Sequence, residues 1–260
     1  ISFMEDSGYL ARAAFIMDRV MHRIGVHGKS FIPLIMGFGC NVPAIMACRT
    51  IESRSSRLIT ILITPFMSCS ARIPIYLLLA GTFFAADAGT VMLGLYALGI
   101  VLAVVTARLM RRFLFPVDET PFVMELPNYR MPGLKNTLRL MWDKARDFLE
   151  RAFTVIFIGT IVVWFLQTFD FRLNMVADTG ESMLALIAGA IAPIFTPAGL
   201  GDWKLCTALI SGFLAKESVV STLSVLYGGI SELASAITPL TACSMLAFCL
   251  LYTPCVAAIA

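Results

Sequence analysis

The chain has 260 residues, of which 58% are hydrophobic and only 14% are charged, and its formal net charge is +3. Soluble domains usually carry about 25% charged residues, so this composition excludes an ordinary soluble protein and indicates one built for lipid. The seven cysteines all lie in or beside apolar stretches without a CxxC pair, which argues against a disulfide framework. We expect no nucleic-acid partner.

Hydropathy predicts an all-α, polytopic transmembrane helical bundle, because roughly 20 apolar residues cross a hydrocarbon core of about 30 Å. The uninterrupted windows are Leu58–Leu79, Gly89–Leu109, Ala152–Phe169 and Pro239–Ala260. Two more windows, Phe31–Ile51 and Leu205–Tyr227, are apolar but interrupted, and Met183–Phe195 is too short to span comfortably. The sequence lacks a start methionine and stops inside an apolar run, so we expect a piece of a longer protein.

The first interrupted window contains the segment IMGFGCNVPAIMAC, whose Gly37, Gly39 and Pro43 make or tolerate a break in a helix. Non-helical backbone at membrane depth survives only where protein or a water-filled cavity satisfies its amides. Basic residues precede and follow the window, which places both flanks in the cytoplasm and predicts a re-entrant segment with Cys40 and Asn41 at its tip. The alternative is that glycine and proline are simply common in membrane helices.

A second segment, ISGFLAKESVVS, aligns without gaps on IMGFGCNVPAIM, so that Gly212 corresponds to Gly37. A Thr-Pro pair with a nearby cysteine follows each segment, at Pro65 and at Pro254. Duplicated halves with broken helices are typical of secondary transporters, whose substrate site lies near the midplane. We therefore predict two Gate repeats with broken or re-entrant helices, at residues 1–109 and 152–260.

The residues between the repeats, 110–151, are predicted to form a cytoplasmic Pro-rich loop and an amphipathic helix. Nine lysines and arginines lie between Arg108 and Arg151, whereas residues 80–90 and 228–238 contain none, and cytoplasmic loops are enriched in such residues. The amphipathic helix either lies on the inner membrane surface or provides a docking face for a cytoplasmic domain.

Polar and sulfur-bearing side chains at the breaks suggest a metal pathway. Lys216 and Glu217 are ionisable residues in an apolar window, which makes them candidates for function, although a structural Lys–Glu pair or a lysine reaching an interface would also explain them. Ser68 and Cys69 follow the first Thr-Pro pair, and Cys255 follows the second. Sulfur, carboxylate and carbonyl ligands together suit Fe(II), Mn(II) or Zn(II) better than Mg(II) or Ca(II). The alternative is that each cysteine is a small apolar residue that only packs against its neighbours.

Long motifs carry a resemblance that covers nearly the whole chain. The segments EDSGYLARAAFIMDR, GKSFIPLIMGFGCNVPAIMACRTI, RLITILITPFMSCSARIPIY, GFLAKESVVSTLSVLYG and LLYTPCVAAIA together resemble the membrane portion of FeoB-type ferrous iron transport proteins. The resemblance implies a non-enzymatic permease that imports Fe(II) across the bacterial inner membrane. It also implies gate cysteines at Cys40, Cys69 and Cys255. We predict in addition that Asn41, Ser68 and Glu217 supply oxygen ligands beside them.

The same resemblance implies partners. They are the lipid bilayer, a cytoplasmic G domain that hydrolyses GTP, and small Feo accessory proteins, with a homo-oligomer left open. The segment GVHGKS ends like the phosphate-binding P-loop GxxxxGK[ST], but the first glycine of that motif is replaced by Arg23. We therefore expect GTP to bind only to a domain outside these residues. The alternatives are a carrier of nucleosides or other organic solutes, or a membrane anchor that transports nothing.

Overall fold

The computed structural model describes residues 7–115, 133–170, 180, 182–214, 216–252 and 256–259. Helices and short 3-10 turns make up the regular structure of these residues, and none of them lies in a β-strand. The prediction of an all-α membrane bundle is confirmed. Cys255 and Pro254 fall outside the described residues.

The helices of the N-terminal part are short and are interrupted by turns. They are α1 (Tyr9–Ile24), α2 (Phe31–Gly39), α3 (Asn41–Ala47), α4 (Arg54–Ile63) and α5 (Ile73–Phe83), followed by the long helices α6 (Ala88–Phe113) and α7 (Leu134–Thr168). The C-terminal part continues with α8 (Met183–Phe195), α9 (Trp203–Leu214), α10 (Ser218–Tyr227), α11 (Ile230–Ala236), α12 (Pro239–Leu251) and α13 (Val256–Ile259).

The chain forms two compact units, each assembled from separate stretches of sequence. The first unit contains residues 1–69 and 98–153, and the second contains residues 70–97 and 154–260. The predicted boundaries at 109 and 151 describe repeats along the sequence, and they stay a prediction.

Two stretches of the described chain are long and apolar enough to cross a membrane, Arg54–Phe83 and Ala88–Phe113. They contain the predicted windows Leu58–Leu79 and Gly89–Leu109. A third candidate is a pair of helical segments, Met183–Ala198 and Trp203–Phe213, which meet at an angle of 103° and form either a broken span or a re-entrant loop. The short run Met183–Phe195 is thus a complete helix that pairs with α9.

Helix α6 carries the exposure pattern of a lipid-facing helix. Leu93 is 74% exposed, and Val101 and Leu109 are exposed as well. A soluble protein would bury side chains of this size, since each contributes roughly 1.5–3 kcal/mol when it leaves water. Exposed leucines along a long helix are stable where hydrocarbon surrounds them.

The amphipathic sequence predicted after residue 134 begins helix α7, which continues without interruption to Thr168. At about 1.5 Å per residue, its 35 residues extend over roughly 50 Å. The apolar part of α7 starts near Phe153 and ends at Thr168. Because the hydrocarbon core is only about 30 Å thick, the charged N-terminal part of the helix must lie beyond it.

The first unit packs its core between α1, α4 and α6, around Met21, Ile59 and Ile63. Two arginines of α6 hold the C-terminal end of α1, because Arg108 donates to the carbonyl of Arg23 and Arg111 donates to that of Gly25. The last carbonyls of a helix have no intrahelical donor, and basic side chains stabilise them.

The basic flank of the first break contains a specific ion pair. The Lys29 ammonium lies 2.7 Å from the carboxylate of Glu52. This hydrogen bond, together with the charge of Lys29, holds the pKa of Glu52 below its ordinary value. The pair connects the turn before α2 to the residues that follow α3.

The second unit packs α5, α9, α10, α11 and α12 into a larger core. Its most buried members include Tyr76, Leu79, Leu205, Leu223 and Met245. The α9 members of this core, Leu205, Ala208 and Leu209, precede the second predicted break, and its α10 members begin at Val219, just after the break.

Candidate functional site

The first break in the structure is a single residue, Cys40. Helix α2 ends at Gly39 and α3 begins at Asn41, while Cys40 between them is extended, with φ −152° and ψ 130°. Its amide still donates to the carbonyl of Met36 at 3.0 Å. The break predicted over residues 37–43 is therefore present but narrower, because its flanking residues keep helical geometry.

Pro43 is tolerated because it is the third residue of α3. The amides of the first helical turn have no carbonyl to bond to within their own helix, so the missing proline N–H removes no hydrogen bond. A proline at this position is compatible with a helix that starts immediately after Cys40.

The two glycines before the break have different roles. A methyl group at Gly37 would lie 3.1 Å from Cβ of Met67 and 3.4 Å from Cγ2 of Thr64, which is tighter than ordinary contact. A methyl group at Gly39 would meet no described atom within 4 Å. Gly37 thus permits close packing of α2 against the Thr-Pro turn, as small residues do in membrane helix contacts, whereas the space around Gly39 does not require a glycine.

Asn41 is the buried polar residue of the first break. It is 3% exposed, and among the described residues neither its amide nitrogen nor its amide oxygen has a hydrogen-bond partner. A buried amide without a partner costs about 1–3 kcal/mol. Such a group calls for an explanation, and a role in binding an ion is one.

Pro65 and its neighbours form the irregular segment that follows α4. Thr64–Phe66 is a 3-10 turn with Pro65 at its second residue. Ser68 and Cys69 lie in the non-helical stretch behind that turn, and both are buried. This segment contacts both α2 and α3, so the first unit brings the two predicted motifs of the first repeat together.

The second break separates α9, which ends at Leu214, from α10, which begins at Ser218. This position is the predicted one. Gly212 allows the close approach of the two helices, because a methyl group there would overlap Cγ2 of Val219. The two ionisable residues of the break differ in environment, since Lys216 is only 3% exposed whereas Glu217 is exposed.

Lys216 lies beside Tyr252, at the end of α12. Its ammonium nitrogen is 5.6 Å from the centre of the Tyr252 ring, within the range of a cation–π contact. The Tyr252 hydroxyl in turn donates to the carbonyl of Leu209 at 2.7 Å. These contacts connect the second break to the residues that directly precede the second Thr-Pro pair.

Arg72 is a second buried cation of the same unit, and sequence reasoning gave it no role. It is fully buried, and its Nη2 donates to the carbonyl of Tyr252 at 3.1 Å. An arginine inside an apolar window is costly enough to mark a functional or structural site. The sequence did contain a signal for this site, namely an arginine inside the motif SARIP. Its hydrogen-bond partner could not be predicted, because that partner lies 180 residues away in the sequence.

Asn41 and Lys216 occupy equivalent positions in the gapless alignment of the two breaks. Each is 3% exposed in its own unit. The preceding glycines, Gly37 and Gly212, are equivalent too, and both stand where a methyl group would crowd a neighbour. The two breaks thus share a packing glycine and a buried polar residue four positions later.

The complete predicted metal constellation is not assembled by the described residues. Cys40, Asn41, Ser68 and Cys69 belong to the first unit, and Glu217 belongs to the second. Nowhere in the described part of the chain do three or more His, Cys, Asp or Glu side chains form a group that could hold a metal ion. With Cys255 outside the described residues, convergence of the three cysteines stays a prediction.

Comparison with known families gives two matches that together cover most of the chain. The family model Gate, described as nucleoside recognition, matches residues 1–83 and 149–260. The model of the ferrous iron transport protein B C terminus matches residues 92–144. The Gate model therefore matches both segments that contain the helix breaks. No solved structure matches the chain.

Similar proteins are curated as Fe(2+) transporters. The chain is 46% identical to Fe(2+) transporter FeoB of Methanocaldococcus jannaschii and 43% identical to that of Staphylococcus aureus (strain COL), in each case over its whole length. It is 45% identical to an Fe(2+) transport protein A/Fe(2+) transporter FeoB fusion protein of Porphyromonas gingivalis. The chain spans 41%, 40% and 37% of the length of these three relatives, respectively.

Proposed function

Because the chain belongs to the FeoB family of ferrous iron transport proteins, as its membrane (Gate) portion, we propose that it forms the permease through which Fe(II) crosses the membrane. The observation that carries this proposal is the identity of 43–46% to proteins named Fe(2+) transporters along the whole chain. The region that these matches cover includes both helix breaks and the segment between them.

The proposed pathway uses Cys40, Cys69 and Cys255 as sulfur ligands, with Asn41, Ser68 and Glu217 as oxygen ligands. A permeating Fe(II) must exchange part of its water shell for protein ligands and later release them. Cys40 supports this role because it is the one residue between α2 and α3 and is partly exposed. Asn41 supports it because its buried amide has no described partner that would compete with a passing ion.

In this proposal, other parts of the full-length protein drive transport. We expect nucleotide hydrolysis, with GTP as the nucleotide, to take place in a G domain outside this chain, which spans 41% of the length of the Methanocaldococcus jannaschii relative. Small Feo accessory proteins are expected partners, and the relative from Porphyromonas gingivalis has a protein A component fused to its transporter. The expected location is the cell inner membrane, with several crossings.

Uptake of Fe(II) by the full-length protein tests the proposal. Cys40→Ser should reduce uptake by about tenfold or more, the order of loss seen when a metal site is disturbed, while expression and membrane insertion stay unchanged. Cys243→Ser provides the matched control, because Cys243 is an exposed cysteine of α12 outside the gate motifs. Cys69→Ser and Cys255→Ser should behave like Cys40→Ser.

Two results would count against the proposal. Wild-type uptake in all three gate variants, at matched protein level, would reduce these cysteines to packing residues. Flux of a nucleoside instead of Fe(II) through the wild-type protein would favour an organic-solute carrier, the alternative to which the description of the Gate family points.

A further inference from the structure

We propose that the basic surface where α1 and α6 end in the first unit binds the phosphate headgroup of an anionic phospholipid in the cytoplasmic leaflet. Four exposed arginines define this arginine surface, namely Arg19 and Arg23 of α1 and Arg108 and Arg112 of α6. They are separate from the gate residues. The inference therefore goes beyond the transport of Fe(II) and does not depend on it.

Direct hydrogen bonds join the two helix ends that form this surface. Arg108 donates from Nε and from Nη2 to the carbonyl of Arg23, at 3.3 and 3.2 Å. Arg111 donates from Nη1 to the carbonyl of Gly25 at 3.1 Å. A guanidinium has five N–H donors, so Arg108 keeps three of them after it has bound the Arg23 carbonyl. The end of α1 thus holds the guanidinium of Arg108 in place with donors left for a further ligand.

The arginine surface concentrates positive charge. Arg19 and Arg23 are four residues apart on α1, and Arg108 and Arg112 are four residues apart on α6, so each pair shares one face of its helix. Like charges at this spacing destabilise a helix, and the fold brings the two pairs together. Within the part of the chain that the structure describes, none of the four arginines forms an ion pair with a carboxylate. A bound anion would relieve the repulsion.

The carboxylates that α1 and the first break provide are engaged elsewhere. Asp18 lies 3.4 Å from Nε2 of His22, and its carboxylate lies against Gly28, where a methyl group would overlap it. Glu52 receives the ammonium of Lys29 at 2.7 Å. Neither carboxylate is directed at the arginine surface, so an anion from outside the described residues is the ligand that fits it.

The length of α6 places its arginines at the level of the lipid headgroups. The helix has 26 residues, whereas about 20 residues cross the hydrocarbon core of roughly 30 Å. About six residues therefore extend beyond the core, and the last six residues at the basic end are Arg108–Phe113. Lipid phosphates lie in the polar layer directly outside the hydrocarbon. A planar guanidinium binds phosphate oxygens through two parallel hydrogen bonds.

Exposed apolar side chains beside the arginines fit the acyl part of the same lipid. Ile16 is 73% exposed and Val20 is exposed as well, and both lie within three residues of Arg19 on α1. Phe113, which is 71% exposed, directly follows Arg112. Exposed apolar residues beside basic ones are typical of a helix at the membrane interface, where the basic residues attract anionic headgroups. A free phosphate ion would use the arginines alone, so this combination favours a phospholipid.

Thermal unfolding of the purified full-length protein in detergent tests the proposal, with dioleoylphosphatidylglycerol as the added lipid. This anionic lipid should raise the melting temperature of the wild type at a lower concentration than zwitterionic dioleoylphosphatidylcholine does. Arg23→Gln and Arg112→Gln should each raise the half-saturating concentration of the anionic lipid about fivefold. This factor corresponds to about 1 kcal/mol for each basic residue at an anionic membrane surface.

Arg139→Gln is the matched control, because it removes the same charge from an exposed position of α7 outside the arginine surface. It should titrate like the wild type. Arg23 and Arg112 lie on different helices, so one variant keeps the test open if the other fails to fold. Equal half-saturation in the wild type and both variants would overturn the inference, as would equal effects of the two lipids. The same shift with inorganic phosphate would show a site for the free ion and overturn the assignment to a lipid.

Discussion

The guanidinium of Arg72 donates a hydrogen bond to the main-chain carbonyl of Tyr252, so residues 180 positions apart are joined inside one unit. Tyr252 follows the last residue of α12, where helix carbonyls lack their usual donors. Arg72 thus completes the end of α12 immediately before the second Thr-Pro pair.

Replacing this guanidinium should destabilise the protein. Arg72→Gln is expected to lower stability by about 1.5–3 kcal/mol, the range for a hydrogen bond to a charged group. Thermal unfolding of the purified full-length protein measures the effect. Arg139→Gln is the control, since Arg139 is an exposed arginine of α7. Equal melting temperatures for the two variants would contradict the role assigned to Arg72.

The glycines of the first break should respond differently to alanine. Gly37→Ala places a methyl group 3.1 Å from Met67 and should cost about 1–3 kcal/mol, as overpacking does. Gly39→Ala meets open space and should leave stability within about 0.5 kcal/mol of the wild type. Melting curves of the two variants decide the matter, and a larger loss in Gly39→Ala would show that the packing around α2 is different.

Asn41 should show opposite effects on stability and on transport. Asn41→Leu removes a buried amide that has no described partner, so stability should stay the same or rise by about 1 kcal/mol. Fe(II) uptake should fall at the same time, because the oxygen ligand is lost. Stability and uptake are measured on the same preparation, and a variant that loses both would identify Asn41 as a structural residue.

Orientation can be tested by adding one cysteine at a time to a variant that lacks the exposed Cys243, and the same variant without an added cysteine measures the labelling of the remaining native cysteines. Asn136→Cys, in the basic N-terminal part of α7, should be protected from a membrane-impermeant reagent applied outside intact cells. Ser235→Cys, in the stretch without lysine or arginine, should be labelled. The reverse pattern would invert the predicted topology.

Local patterns in the sequence were sufficient to predict the apolar stretches Arg54–Phe83 and Ala88–Phe113 and the two breaks. The predicted window Pro239–Ala260 contains a shorter helix, because α12 ends at Leu251. Apolar runs predict spans, and a cluster of glycine and proline such as Gly37, Gly39 and Pro43 predicts an interruption. A single such residue does not, since Gly94 and Pro193 lie inside helices. The limits of the first break were less predictable, because Gly39 and Asn41 both remain helical and only Cys40 leaves the helix. Which residue breaks a helix depends on packing against α2 and α3, and no local pattern contains that information.

Contacts between distant segments were beyond the reach of the sequence. The hydrogen bond from Arg72 to Tyr252 depends on how α5 and α12 pack, and the hydroxyl contact between Ser211 and Thr222 depends on how α9 and α10 pack. Serines and threonines are also frequent in membrane helices for packing reasons. Their residue type alone therefore does not distinguish a cavity wall from a helix contact.

The equivalence of Asn41 and Lys216 means that the two repeats are not interchangeable. Each repeat buries one polar side chain at this position, but only the second repeat buries a cationic one. A symmetric protein made from two copies of the first repeat would have no buried ammonium at its breaks, and one made from two copies of the second would have two. The natural chain contains one of each, so the equivalence of the two breaks extends to a packing glycine and a buried polar side chain but not to charge.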